Sequence, residues 1–302
     1  MFYQKQFKFQ TNIIATEYLQ KNGNKAKRKR DNKWLGCKRC INFKKDDWHI
    51  GSLINYINFS MYPAPCQGKC IYCTASTQWK NTPDVKQAYE KLFKVIELAD
   101  KKGLISPDAL WQVSSGEAAL HPYKDRIISM VENKKATFYT NGFICDEDIA
   151  RVLGKNKNAR INISVDSGTP QTWAKVKGFD NFKEVVKNLV SYRKASLGPG
   201  QIELKYIVLP GINDSDDDFE GIIELMNKLD VVHLTVTRDS VVKYSSSKRE
   251  NFELMKSVAR LTWLGIKKGK TIGLLPYSDW ERRKVRMIIR WNRLKGIFKR
   301  KK

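Results

Sequence analysis

The chain has 302 residues, 41% hydrophobic and 11% aromatic, enough for one large domain with a complete core or for two ordinary ones. No run of about 18 apolar residues occurs, which argues against a spanning helix. The net charge of +25 is concentrated at the ends: residues 1–45 hold thirteen Lys or Arg against two acids, and residues 282–302 hold eleven against none. The body between them is close to neutral.

Residues 1–51 read as a basic N-terminal extension. Its first nine residues alternate aromatic and polar side chains like a strand and lack the apolar core of a signal peptide. A cytoplasmic placement is expected, with the basic ends leaving room for a peripheral membrane contact; thiols there stay reduced. The run Lys25-Ala-Lys-Arg-Lys-Arg30 reads as a solvated loop or an anion contact. Cys37-Lys-Arg-Cys40, with His49 nine residues on, is a candidate second metal site or simply a pair of structural thiols.

From residue 52 the pattern becomes regular. Residues 52–60 read as a first strand, 85–102 as a helix closed by Gly103, and 109–114 as a second strand running into Ser115-Gly116-Glu117. Helix 123–133, strand 136–139, helix 146–153 and strand 160–165 repeat the unit. Helix 182–192, strand 201–209, helix 217–229, strand 231–237 and helix 249–266 complete it. Six such units over residues 52–269 predict an α/β fold, a partial (β/α)6 parallel barrel whose site lies at the carboxyl ends of the strands. A doubly wound open sheet is the structural alternative. Residues 270–302 read as a basic amphipathic C-terminal segment. A helical projection of 280–298 places Trp280, Met287, Trp291, Leu294 and Phe298 within about 40° of one direction, either packed on the barrel or facing an anionic surface.

The strand ends gather the chemistry. Cys66, Cys70 and Cys73 lie in Cys66-Gln-Gly-Lys-Cys70-Ile-Tyr-Cys73. Three thiols within eight residues cannot pair off among themselves, and a zinc site would want a fourth nearby Cys or His, the next His being His121. Thiolates at these gaps can wrap an iron–sulfur cluster and leave one iron open.

With Tyr72 just before the last cysteine, this stretch resembles the hallmark of the radical S-adenosylmethionine (radical SAM) enzymes. The resemblance implies that Cys66, Cys70 and Cys73 ligate a 4Fe–4S cluster whose fourth iron chelates S-adenosylmethionine, and that reductive cleavage yields a 5′-deoxyadenosyl radical. It covers residues 52–240 in order. Ser115-Gly116-Glu117 is similar to the family's Gly-Gly-Glu contact with the cofactor amine, with Ser115 replacing the first glycine. Ser164 and Asp166 match its fourth strand, and Lys205 and Val208 lie on the fifth, which covers the adenine. Together with Tyr72 these are the candidate cofactor-binding residues. Cys145, near the turn Asn141-Gly142, is a candidate catalytic hydrogen donor or a plain buried thiol.

No cysteine follows Cys145, which argues against a peptide-maturing member with auxiliary clusters. The expected partners are an unidentified, anionic or membrane-associated substrate and a reductase or flavodoxin/ferredoxin-type electron donor. The basic ends point to an anionic membrane surface or RNA. An RNA-modifying enzyme is the alternative within the family, and a non-catalytic, metal-stabilised nucleic-acid-binding protein the alternative outside it.

Overall fold

The computed structural model describes residues 53–60, 65–73, 82–114, 116–239 and 248–299. Cys37, Cys40, His49 and Ser115, and with them the N-terminal extension, lie outside the described residues.

Strands β1 (Ile54–Ser60), β2 (Ile105–Ser114), β3 (Lys135–Thr140), β4 (Arg160–Ser164), β5 (Ile202–Val208), β6 (His233–Arg238) and β7 (Thr271–Leu274) form one sheet. Helices α1 (Pro83–Lys101), α2 (Lys124–Val131), α3 (Glu147–Lys155), α4 (Pro170–Lys177), α5 (Phe182–Ala195), α6 (Asp216–Lys228), α7 (Lys248–Lys267) and α8 (Asp279–Lys299) connect and follow the strands. Every pairing is parallel and the spatial order is the chain order, β1 to β7. A doubly wound sheet would reverse its order at a switch point; this sheet never does, so all carboxyl ends open on one mouth, as in a partial barrel.

Three elements lie outside the sequence expectation. The second strand begins at Ile105 instead of 109, α4 fills the stretch before residue 182, and β7 adds a seventh strand from within residues 270–302. Both short elements are set by tertiary partners: β7 pairs with β6 over only four positions, and its alternation is too short to register as a period.

Strand periodicity divides the sheet into two faces. Ile57, Phe59, Trp111, Val113, Phe138, Ile161, Ile163, Leu204, Tyr206, Leu234 and Val236 are buried in one core with residues of the helices, such as Phe93, Ile149, Leu189, Phe219 and Val258. The other face is polar and cross-linked: the Tyr56 hydroxyl donates to Gln112, Gln112 Nε2 donates to Tyr139 Oη at 3.1 Å, Ser114 Oγ to Asn58 Oδ1 at 2.8 Å, and Asn162 Nδ2 to Glu203 Oε2 at 3.2 Å.

The helices start where side chains satisfy their first free N–H groups. Thr82, Asp146, Thr169 and Ser215 cap α1, α3, α4 and α6, and α6 adds Asp216, Asp217 and Asp218 at its positive end. Among the described residues no helix is long and apolar enough to cross a membrane.

Candidate active site

The cysteine loop lies across the mouth on three supports. Glu117 N donates to Pro65 O at 2.8 Å from the exit of β2, and Lys69 N and Ile71 N donate to Lys177 O and Val176 O at 3.1 and 3.0 Å, at the end of α4. The third is apolar: Tyr72 packs on Val176, Ile207 and Leu209. Close approach requires glycine at Gly178, which caps α4 with φ +76°; a Cβ there would sit 2.8 Å from Lys69 Cβ.

Within the loop, Gly68 lies between two thiols: its Cβ, if present, would be 3.4 Å from Cys66 Sγ and 3.5 Å from Cys70 Sγ. Cys66 Sγ accepts from Gly68 N at 3.3 Å and Asn141 Nδ2 at 3.5 Å. Burial pushes the Cys66 thiol up. Burial also raises that of Cys70, against the pull of the nearby Lys177 ammonium. Cys73 is exposed, and none of the three is in a disulfide. Gln67 Oε1 accepts from Asn141 Nδ2 at 3.4 Å, while Gln67 Nε2 is buried with no partner.

Asn141 is placed by Glu117. That carboxylate, 1% exposed, accepts from Thr140 Oγ1 at 2.6 Å, Asn141 N at 2.7 Å and Ala119 N at 3.2 Å. These bonds tie the exits of β2 and β3 together and use three of the roughly four acceptor positions a carboxylate offers. Burial pushes the Glu117 carboxyl up, opposed by those same hydrogen bonds. Gly116 beside it has φ +73°.

A buried ionic triad stands behind the loop. Lys177 Nζ lies 2.5 Å from Asp166 Oδ2 and 2.8 Å from Tyr72 Oη, and Tyr72 Oη donates to Asp166 Oδ2 at 2.5 Å. Asp166 Oδ1 accepts from Ile207 N at 2.6 Å, so both carboxylate oxygens are engaged inside the protein. Burial, reinforced by Asp166, pushes the Tyr72 hydroxyl far up, so it stays a neutral donor. Asp166 itself has φ +54°, held there by Asn213 Nδ2, which donates to its carbonyl at 2.9 Å.

The other expected site residues divide by position. Ser164 and Lys205 are register partners at the ends of β4 and β5. Val208 is 1% exposed and belongs to the helix-side core; its neighbour Ile207 faces Tyr72 instead. Cys145 is half-buried and packs on the core beside the α3 cap, its thiol raised by burial and by Asp146 and Glu147, the opposite of an activated thiol. Lys177 and Val176 escaped sequence reasoning. A lysine four residues after the buried Trp173, on the inner face of a short helix, was their only signal.

A model of the radical SAM superfamily matches residues 65–226. GTP 3′,8-cyclase of Nautilia profundicola is 27% identical over 169 residues, 54% of this chain and 50% of that protein. The Clostridium botulinum strain Okra enzyme of the same name is 28% identical over 174 residues, 56% of this chain and 52% of that protein. The chain thus spans about half the length of the curated relatives it matches. Streptococcus suis SuiB bound to its precursor peptide SuiA aligns with a TM-score of 0.55 at 16% identity, covering 74% of this chain and 48% of SuiB. SuiB bound to S-adenosylmethionine aligns at 0.53, covering 75% and 51%. At that identity the likeness carries the fold alone. With the family model covering more than half of the chain and the three cysteines at the mouth of a parallel sheet in chain order, this protein belongs to the radical SAM superfamily of enzymes.

Proposed function

We propose that Cys66, Cys70 and Cys73 hold a 4Fe–4S cluster and that the chain uses it with S-adenosylmethionine to abstract hydrogen from a substrate on the polar face of the sheet. The observation that carries this reading is the loop itself: three thiols, none in a disulfide, pinned over the strand ends by Lys177 O, Val176 O and Glu117 N. Gly68, between Cys66 and Cys70, leaves open the space that a Cβ would fill, 3.4 Å and 3.5 Å from their sulfurs. The Asn141 amide adds a donor 3.5 Å from Cys66 Sγ, and Gln67 Nε2, in the same loop, is buried with no partner.

When bound, the cluster supplies the electron that cleaves S-adenosylmethionine and so gives the hydrogen-abstracting radical. The chain's own residues do the rest. Glu117 fixes Asn141 against Cys66. Tyr72, Asp166 and Lys177 hold the loop's far side rigid, and Ile207 and Leu209 exclude water behind it. Ser164 and Lys205 present polar groups to the cofactor's ribose and carboxylate. Family membership sets aside the non-catalytic nucleic-acid-binding reading.

Anaerobic reconstitution with iron and sulfide analysis, followed by a 5′-deoxyadenosine assay, tests the proposal. We expect about four irons per chain and reductive cleavage. A Cys66→Ala, Cys70→Ala, Cys73→Ala variant that cleaves as well as the parent overturns it.

A further inference from the structure

Helix α8 is amphipathic, and among the described residues it keeps an apolar stripe exposed. Its inner side is satisfied: Val285 is 1% exposed, and Ile288 and Ile289 pack on the core, against α7. Trp280, Met287 and Trp291 are each 61% exposed. At about 100° per residue they share a stripe about 40° wide, centred about 130° from the direction of Val285, Ile288 and Ile289. The packing therefore leaves Trp280, Met287 and Trp291 exposed. Single exposed apolar residues are ordinary; three on one stripe mark a contact surface.

The stripe is bordered by cations. Arg283, Arg286 and Arg290 are exposed on its flank. The acids of α8 are confined to its first turn, Asp279 and Glu281, and Glu281 is taken by Arg238 at 2.5 Å. From residue 282 to the end of the helix there is no acid. Phe252 of α7, 42% exposed, extends the apolar edge: Lys284 Nζ lies 5.2 Å from its ring centroid and 4.7 Å from that of Trp280.

We infer that this face of α8 docks the enzyme on an anionic lipid bilayer, the two tryptophans and Met287 entering the headgroup boundary while the arginines meet lipid phosphates. Apolar insertion and attraction to anionic lipid add on an interfacial helix. A nucleic acid would use the arginines but offers no apolar layer in which Met287 could be buried. The inference stands independently of where the cluster is placed.

The test uses the full chain and two kinds of extruded vesicle: phosphatidylglycerol with phosphatidylethanolamine, and phosphatidylcholine alone. We expect co-sedimentation with the anionic vesicles and not the neutral ones. A Trp280→Ser, Met287→Ser, Trp291→Ser variant should bind the anionic vesicles at least about tenfold more weakly, a tenfold change being the unit in which affinity is read, with S-adenosylmethionine cleavage unchanged. No binding of the parent, or equal binding of parent and variant, overturns the inference; the latter would assign the contact to charge alone. Salt-sensitive binding of an RNA oligonucleotide that Arg283→Ser, Arg286→Ser, Arg290→Ser abolishes, with no loss on vesicles, would give the face to RNA phosphates instead.

Discussion

Lys177→Met removes the cation of the triad behind the cysteine loop while keeping an unbranched apolar stem. Lys177 and Asp166 are 1% and 0% exposed, with Nζ 2.5 Å from Oδ2. After the substitution Asp166 retains only the Tyr72 hydroxyl and the Ile207 amide. Breaking a buried pair by removing one partner costs about 3–5 kcal/mol, because the remaining charge keeps its desolvation penalty and loses its compensation. With a urea slope of about 2–3 kcal/mol per molar, the unfolding midpoint should fall by about 1.5 M. Adding Asp166→Asn should recover part of the loss, since no charge is then stranded; the two single losses exceed that of the double variant. Anaerobic urea unfolding of the reconstituted protein measures this. Iron per chain, read on the same samples, should fall in the single variant, because Lys69 N and Ile71 N hang the loop from this end of α4. A single-variant loss under about 1 kcal/mol, or strict additivity, refutes the argument, because the pair would then not be coupled as a buried ion pair must be.

Gly168 and Gly221 let the exit of β4 touch α6: a Cβ on Gly168 would lie 1.9 Å from Asp218 O. Gly168→Ala should therefore cost about 3 kcal/mol or more, while Gly198→Ala, with nothing within 4 Å, should leave the thermal midpoint nearly unchanged. His121 is 5% exposed, its Nε2 has no partner, and burial lowers its pKa from 6.5 to about 4. The unfolded chain then binds the extra proton first, so this group's contribution is full above pH 6.5 and is lost as pH falls toward 4, by about 3 kcal/mol in all. His121→Gln should flatten that part of the stability profile; a parallel profile would show that His121 does not titrate on unfolding.

The alternation of apolar strand and amphipathic helix from residue 52 onward was readable because each period is local, 2 or 3.6 residues, and repeats six times. The cysteine loop was readable for the same reason, since its three thiols and Tyr72 lie within eight residues. These two local signals carried the α/β class and the resemblance to the superfamily, while the unreversed strand order that excludes a doubly wound sheet is a property of the tertiary structure. What the tertiary structure decided is which distant groups meet. Tyr72 lies 105 residues from Lys177 and 94 from Asp166, and nothing in their local patterns pairs them. Glu117, which the resemblance matches to a contact with the cofactor amine, also makes three hydrogen bonds inside the protein, to Thr140, Asn141 and Ala119, that tie the exits of β2 and β3 together. The seventh strand is too short to show a period and exists because β6 offers it an edge. The amphipathic stripe of α8 was visible in the sequence, but its facing was not. A helical projection fixes which residues share a side, and only packing against α7 determines that Val285 goes inward and Trp280 and Met287 stay out.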